Sequence, residues 1–449
     1  MAEWKRVKIG DALNEVSRVE KLNPNTKYRL LGVRWYGKGV FQREEKLGKE
    51  IKATKLYQAK KGDFIYNRLF AWKMSFAIVP DEFDGCLVSN EFPLFICDES
   101  KVLADFLLSY ILLPQNIETV NRLSGGMSSV SRKRFKEIDF LNFEIPQYDI
   151  SFQKSICQKL KKISDIAASQ DVETDTQLSL LNKLRQAVLQ EAVEGKLTAE
   201  WRKKNPKLIS GEHHASKLLE KIKAEKERLI KEGKIKKEKP LSPIADEEKP
   251  FALPEGWVWC RLKDVSLNVH YGFNASARPE KKDVRLLRIT DIQNNRVDWN
   301  GVPGCAYSER DIKSYLLSEN DIVIARTGGT IGKSFLIKDI PVRSLFASYL
   351  IRVIPSKNIF PEYLKYFLES PEYWKQLYDA AWGAGQPNVN GTSLSNLIVP
   401  LSPFAEQQAI VERVKKLMAT IDELKKQVSE RKDQAQILMQ SVLREAFAG

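Results

Sequence analysis

The stretch "IPQYDISFQKSICQKLKKI", residues Ile145 to Ile163, returns later in the chain as "VPLSPFAEQQAIVERVKKL", residues Val399 to Leu417. The offset is 254 residues, and without a gap it also brings "LRQAVLQEAVEG" (184–195) onto "LMQSVLREAFAG" (438–449). Two segments of equal length that match at both ends indicate an internal duplication, because chance matches of short motifs would not keep one register. The chain is therefore predicted to form two similar halves, each a globular part followed by a helical part.

The helical parts carry apolar residues at alternating steps of four and three, the seam pattern of a coiled coil. Because both halves have such a seam, the two helices are predicted to pack on each other; the alternative is that each packs on its own globular part. A single helix over 152–194 would span about 65 Å at about 1.5 Å per residue, which suggests a spacer. Ser402 and Pro403 are predicted to form the cap and first turn of the second helix. The predicted seam comprises Ile156, Leu160, Ile163, Leu184, Val188, Ile410, Val414, Leu417, Ile421, Leu424, Leu438 and Val442.

Composition limits the classes of function. A net charge of +14 and a pI near 9.3 indicate a polyanion partner, most simply nucleic acid; a basic protein without such a ligand is the alternative. Five cysteines without a C-x-x-C pair and three histidines argue against a structural zinc site or a disulfide framework. No apolar run approaches the ~18 residues of a membrane span, so a globular, soluble protein in the cytoplasm is expected.

The globular parts alternate short β-rich runs, such as "SFAIVP" and "YLIRVI", with helical segments at 103–113 and 361–368. Each is therefore predicted to be an α+β domain with a mainly antiparallel or mixed sheet. The stretch between them, 196–250, holds 16 Lys and Arg against 10 Asp and Glu and is predicted to be a connection that is helical over 215–232. The predicted boundaries are 1–150 and 251–401 for the globular domains, 151–195 and 402–449 for the helices, and 196–250 for the basic connection.

One motif resembles a nucleotide site. In "DIVIARTGGTIGKSFLI" (Asp321 to Ile337), a strand-like run enters a glycine turn that ends in Gly-Lys-Ser. A P-loop would need glycine where Thr327 stands and a helix after the loop, but the following residues continue as an apolar run. We therefore predict a glycine turn between two strands.

Enzyme interpretations have little support. Pro80, Asp81, Glu99 and Lys101 fit a loose nuclease pattern that would hold magnesium through carboxylates, but "VPDEFDG" is typical of a turn, and the last two residues follow the end of a strand. A DNA amino-methyltransferase would need an Asn/Asp-Pro-Pro-aromatic tetrapeptide, which the sequence lacks. No catalytic residue and no metal ligand is predicted.

Loops in both halves place basic and amide side chains beside aromatic ones, as in "GVRWYGKG", "NRLFAWK" and "WGAGQPNVN". Arg and Lys contact phosphates or guanine, and Asn and Gln pair with adenine edges; for any single residue, an ordinary surface position is the alternative. The candidate DNA-binding residues are Arg34, Arg68, Lys73, Arg132, Arg134, Arg278, Arg326, Lys333, Gln386, Asn388 and Asn390.

Several of these stretches, with their order and the duplication, resemble the specificity subunit of type I restriction-modification enzymes. They are "GDFIYNRLFAWKMSFAIVPDEFDGCLVSNEFPLF", "NDIVIARTGGTIGKS", "GAGQPNVNGTSLSNLIVPLSPFAEQQAIVERV", "LRQAVLQEAVEGKLTAEWRKKNP" and "LPEGWVWCRL". The resemblance covers essentially the whole chain. It implies two target recognition domains separated by two long antiparallel helices with pseudo-twofold symmetry, each domain recognising one half of a split, asymmetric site in double-stranded DNA.

The resemblance also implies two modification (methyltransferase) subunits and, through them, restriction subunits as partners. S-adenosylmethionine, ATP and magnesium would then be bound by those partners, with no cofactor in this chain. The second half has the amide-rich "GQPNVN" where the first has "GMSSVS". The two domains are therefore expected to recognise different half-sites.

Overall fold

A computed structural model describes residues 5–53, 55–125, 133–237, 239–280, 283–382 and 389–448. The backbone divides into a first unit, Met1–Asp175 with Ser429–Gly449, and a second unit, Thr176–Val428. Both boundaries fall inside long helices, so each helix contributes residues to both units. None of the described helices is long and apolar enough to cross a membrane.

The first unit is built from short strands followed by three helices and one long helix. Its elements are β1 (Arg6–Lys8), β2 (Leu13–Val16), β3 (Val19–Glu20), β4 (Lys27–Val33), β5 (Val40–Leu47), β6 (Leu56–Gln58), β7 (Phe64–Tyr66), β8 (Phe76–Ile78), β9 (Leu87–Val88), β10 (Leu94–Cys97), α1 (Ala104–Ile111), α2 (Pro114–Leu123), α3 (Glu137–Leu141), β11 (Glu144–Pro146) and the start of α4 (Ile150–Val193).

The second unit begins within α4 and repeats the same plan after two helices of the connection. Its elements are α5 (Ala199–Lys204), α6 (Ala215–Lys231), β12 (Val258–Arg261), α7 (Leu262–Val265), β13 (Ser266–Tyr271), β14 (Ala277–Arg278), β15 (Arg285–Leu287), β16 (Ile292–Gln293), β17 (Arg296–Val297), β18 (Gly304–Cys305), α8 (Glu309–Tyr315), β19 (Ile322–Ala325), β20 (Ser334–Leu336), β21 (Ser344–Phe346), β22 (Leu350–Pro355), α9 (Pro361–Phe367), α10 (Pro371–Trp382), α11 (Gly391–Asn396), β23 (Ile398–Leu401) and α12 (Phe404–Ala448).

The strand order confirms that the halves share one fold. In the first unit a four-stranded sheet runs β2-β10-β7-β8, and in the second its counterpart runs β13-β22-β19-β20. The pair β1-β11 is matched by β12-β23, and the parallel pairing of β4 with β9 is matched by that of β15 with β21. The predicted α+β class and the duplication are both confirmed.

A buried glutamine at the start of each long helix shows the duplication at the level of single atoms. In the first unit, the side-chain oxygen of Gln153 accepts from the Leu103 amide at 2.9 Å, and its nitrogen donates to the Tyr148 carbonyl. Gln407 makes the same two contacts with the Phe360 amide, at 3.0 Å, and the Ser402 carbonyl. These bonds pair backbone groups that burial would otherwise leave without partners, and they fix the angle at which each helix leaves its domain.

The two long helices run antiparallel. In the second unit Lys425 donates to Asn182 at 2.6 Å and Arg185 pairs with Asp422 at 3.2 Å. In the first unit Lys432 pairs with Asp175, also at 3.2 Å. Because the residue numbers on one helix rise as those on the other fall, the predicted packing of the helices on each other is confirmed.

Parts of the predicted seam are wrong. Leu184, Leu424 and Leu438 are 47%, 40% and 65% exposed, respectively. A strict seven-residue repeat drifts by about 20° per heptad on a straight helix, so it leaves the contact face after a few turns. The side chain of Val442 lies outside the described residues. The seam residues that are buried in the second unit are Val188, Leu189, Ala192, Ile410, Val414, Met418 and Ile421, with Leu181 and Leu417 partly buried against them.

The start of α4 packs on its own globular part, which was the alternative to packing on the other helix. Ile156 and Leu160 pack into the globular core of the first unit, where Tyr66 stacks on Phe95 and Phe140 meets Phe95 edge-on, while Ile163 is half-buried. The second helix begins at Phe404, and the Ser402 hydroxyl is buried without a hydrogen-bond partner. The predicted side-chain cap is therefore absent from the described contacts, and the Gln407 side chain holds that turn instead.

The basic connection is part of the second unit's core. The predicted helix over 215–232 is confirmed as α6, whose Ala215, Leu218 and Ile222 pack with the core residues Leu262 and Val265. The carboxylate of Glu406, on the second long helix, is fully buried. It accepts hydrogen bonds from Thr198 at 2.6 Å and from Arg202, both of which precede α6, and from the Trp257 indole at 2.8 Å. These bonds fasten the start of the connection and the Trp257 segment that follows it to the second long helix.

Candidate nucleic-acid interface

Two equivalent hairpins form the centre of the candidate site, β7–β8 in the first unit and β19–β20 in the second. Strand pairing of Ile322 with Leu336 and of Ile324 with Ser334 confirms the predicted glycine turn between two strands. A buried aspartate comes directly before the first strand of each hairpin. Asp63 pairs with Arg18 at 2.6 Å, and Asp321 pairs with Arg352 at 2.5 Å. Burial raises the pKa of Asp321, although the Arg352 guanidinium beside it acts in the opposite direction. These ion pairs anchor the hairpins from which the loops project.

In the second unit, Arg326 follows β19 and lies over the ring of Tyr271, with 4.8 Å between guanidinium carbon and ring centroid. It forms no ion pair among the described residues, and its Nε is buried without a hydrogen-bond partner. The Tyr271 hydroxyl accepts from the Gly391 amide at 3.0 Å, and the Arg326 carbonyl accepts from the Val389 amide. Arg326 is thus held in a fixed direction while its charge stays uncompensated.

A groove of about 1050 Å³ opens beside this hairpin. Its lining includes Lys333 and the glycine turn, together with the amides of Gln293, Asn294 and Asn295. Asn294 and Asn295 form the tip of the β16–β17 hairpin with φ of 50° and 57°, the left-handed conformation that asparagine tolerates. Cationic and amide groups therefore share one open groove, the set of groups that contacts phosphates and base edges.

In the first unit, Arg68 occupies the place of Arg326 but is neutralised. It forms an ion pair with Glu137 and donates to the carbonyl of Asn90. Arg134 is paired with Glu91. Both arginines therefore bind segments of their own domain, and the structure gives them a stabilising position.

Lys73 and Arg34 of the first unit lie on aromatic rings. The Lys73 ammonium is 3.8 Å from the centroid of Trp35, and the Arg34 guanidinium is 5.5 Å from that of Phe41. Neither forms an ion pair within the described part of the chain. A cation over a ring keeps its charge while the ring fixes its position.

The remaining predicted residues are dispersed or differently used. Arg278 is exposed on β14, and the side-chain oxygen of Asn390 accepts from the Ser393 amide as the cap of α11. Arg132, Gln386 and Asn388 lie outside the described residues. Their contact with DNA stays a prediction.

The residues of the nuclease pattern serve local contacts. Asp81 pairs with Lys61 at 3.1 Å, and Lys101 pairs with Asp98 at 3.2 Å and donates to the Asp11 carbonyl. Across the described ranges, no three His, Cys, Asp or Glu side chains gather into a group that could hold a metal ion.

Three features of the candidate site were not predicted from the sequence. Tyr271 lay within a quoted loop, but its role under Arg326 depends on a strand register that the sequence does not display. Asn294 and Asn295 form an Asn-Asn turn between short alternating runs, a hairpin signal that could have identified them. The pairing of Arg68 with Glu137, 69 residues away, leaves no local signal.

Comparison with known proteins agrees with this architecture. Residues 254–431 match the family model described as the type I restriction modification DNA specificity domain. The chain is 36% identical over 255 residues to the EcoAI specificity subunit of Escherichia coli and 28% identical over 263 residues to the EcoEI specificity subunit, also of Escherichia coli. Each match covers 55% of this chain and 41% of the relative, so the chain spans less than half the length of these two proteins.

Solved structures support the fold over the full length. The HsdS subunit from Thermoanaerobacter tengcongensis is 17% identical, with a TM-score of 0.54 over 100% of this chain and 97% of that one. A chain from work on the complex assembly and conformational transition of the type I R-M system is 16% identical, with a TM-score of 0.71 over 100% and 98%. Residues 254–431 thus match a type I restriction modification DNA specificity domain, and the chain is similar to specificity subunits of type I restriction enzymes.

Proposed function

We propose that this chain is the DNA-recognition subunit of a type I restriction-modification complex. Each globular domain recognises one half of a bipartite, asymmetric site in double-stranded DNA. The observation that carries the proposal is the pair of equivalent hairpins with unequal chemistry, because Arg68 is neutralised by Glu137 whereas Arg326 keeps its charge. One fold used twice with different contact groups suits a site whose halves differ in sequence.

The long helices are the proposed spacer between the half-sites. α4 runs for 44 residues and α12 for 45, which corresponds to about 66 Å at about 1.5 Å per residue. Their antiparallel contacts, and the glutamine at the start of each, would stiffen the pair. The exposed apolar residues Leu184, Leu424 and Leu438 lie on these helices and are proposed to contact the modification subunits.

Chemistry is assigned to partner subunits. Two modification subunits would transfer a methyl group from S-adenosylmethionine to adenine, and restriction subunits would use ATP and magnesium for translocation and cleavage. The chain itself would act without catalysis, in the cytoplasm. The support for this division of labour is the family, whose relatives are named as specificity subunits.

Selection of bound duplexes from a random library tests the proposal. The chain, purified with its modification subunit, should enrich two short conserved blocks separated by a fixed number of unconstrained base pairs. A preparation that lacks the chain should enrich no block. Enrichment of one uninterrupted motif would contradict the assignment of one half-site to each domain.

A further inference from the structure

The tip of the β4–β5 hairpin in the first unit exposes two aromatic side chains. Trp35 is 41% exposed and Tyr36 is 63% exposed. Tyr36 also has φ of +59°, a conformation that is uncommon for a bulky residue and that persists only where surrounding contacts enforce it. An exposed ring held in a strained conformation calls for an explanation beyond packing.

Backbone contacts enforce this conformation. The Tyr36 amide donates to the Lys73 carbonyl at 2.9 Å, and the Gly37 amide donates to the Met74 carbonyl at 2.8 Å. Met74 is itself left-handed, with φ of +59°. Gly37 has φ of +65°, and a Cβ atom there would lie 2.6 Å from a methyl group of Leu112, so glycine is favoured at this position. Two loops are thereby joined so that Trp35 and Tyr36 project outward.

A cation lies against Trp35, and others line the cleft beside it. The Lys73 ammonium lies 3.8 Å from the centroid of Trp35 and 5.0 Å from that of Trp72. Arg34, Lys38 and Arg43 line the adjoining cleft of about 650 Å³. None of these four cations forms an ion pair with another described residue. Exposed aromatic faces among unpaired cations match a nucleobase face beside its phosphates.

The second unit has a different tip at this place. The offset of 258 residues that carries Asp63 onto Asp321 carries Tyr36 onto Asn294, and both residues are left-handed. The backbone device is thus kept, but an amide replaces the ring. The difference points to contact chemistry, because both residues lie at a hairpin tip in the same left-handed conformation.

We propose that Trp35 and Tyr36 form a wedge that stacks on a nucleobase within the half-site recognised by the first unit, unstacking one base step there. This inference rests on the proposed DNA recognition. The wedge explains why the first unit needs no free arginine at the Arg68 position, since aromatic stacking supplies binding free energy that offsets the cost of unstacking the base step. The occupant is duplex DNA; docking of a protein on the same tip would be an alternative outcome.

A cycle between protein and DNA tests the wedge. The full chain in complex with its modification subunit is titrated with duplexes carrying its recognition site, each with one nucleotide of the first half-site replaced by an abasic residue. Tyr36→Asn keeps the left-handed backbone and removes the ring, and Trp35→Ala removes its neighbour. We expect each substitution to weaken binding to the intact site by about 5- to 150-fold. At one nucleotide, the abasic replacement should change the affinity of the wild type, through the lost stacking partner and the removed unstacking cost, but not that of Tyr36→Asn, a failure of additivity that identifies a contact.

Controls separate the possible failures. Tyr378→Gln removes another exposed tyrosine, on α10 and 58% exposed, and should leave every affinity unchanged. An unchanged thermal midpoint for Tyr36→Asn excludes misfolding. Losses that add at every nucleotide, or unchanged affinity with Tyr36→Asn, would overturn the wedge while the proposed function stands. If the wild-type complex does not prefer its site to a scrambled duplex, the proposed function fails and the wedge fails with it.

Discussion

Replacing Arg326 by methionine removes a charge that no described acidic residue pairs with. Met keeps an apolar stem to pack on Tyr271, so the fold of the hairpin should survive. If the guanidinium contacts a base edge, its loss lowers the binding free energy by about 1–3 kcal/mol, which weakens the affinity for DNA by about 5- to 150-fold. The loss should appear only on duplexes that carry the correct second half-site.

Arg68→Met is the matched control, because Arg68 holds the equivalent place but is paired with Glu137. Removing Arg68 leaves the Glu137 carboxylate, which is only 22% exposed, without its cation. The expected cost is about 1–3 kcal/mol of folding free energy. We expect a lower thermal midpoint and unchanged discrimination at either half-site. Adding Glu137→Gln should restore part of the stability.

Fluorescence anisotropy over a range of salt concentrations distinguishes a base contact of Arg326 from a phosphate contact. A base contact changes discrimination and leaves the salt dependence nearly unchanged. A phosphate contact weakens binding to all sequences and lowers the slope of log affinity against log salt by about 0.9. Equal weakening on all duplexes, or no weakening at all, would refute the assignment of Arg326 to base recognition.

Three further changes have defined outcomes. Inserting four residues near 174–177 lengthens α4 by about 6 Å, so the gap between half-sites should grow by one or two base pairs of about 3.4 Å; methylome sequencing with an unchanged gap would reject the spacer. Glu406→Ala should lower the free energy of unfolding by about 3–5 kcal/mol, because Arg202 loses its buried partner. In the same calorimetric measurement, substitution of the exposed Glu412 by Ala should leave the unfolding midpoint unchanged. Burial, and secondarily Arg352, lowers the pKa of His270 to about 4; the ring is neutral in the fold and charged when unfolded, so stability should fall as pH drops from about 6.5 to about 4, and His270→Phe should flatten that decline in urea titrations.

The duplication was accessible from the sequence because its signal is local. Gln153 and Gln407 appear at one offset in the quoted segments, and the structure gives them the same hydrogen bonds. The equivalent hairpins followed from alternating apolar residues around a turn. The extent of the helices was also predictable, since their apolar period runs over many turns.

Contacts between distant residues were not predictable in the same way. The buried carboxylate of Glu406 falls on Phe152 in the first half, so the duplication itself conceals its bonds to Thr198 and Trp257. Seam assignment failed at Leu424 and Leu438 because a heptad count ignores the drift of a straight helix. The candidates Arg68 and Arg326 look alike in sequence, and only the fold shows which one meets an acid.

Methylome sequencing of cells that carry the chain with its modification subunit tests the central claim most directly. Recognition of one half-site by each domain predicts adenine methylation at a split motif with two unlike blocks and one fixed gap, lost entirely when the chain is deleted. In the Arg326→Met variant, specificity should relax in one block only. Methylation at an uninterrupted motif, or a motif that persists without the chain, would contradict the claim that its two domains each recognise one half of the site.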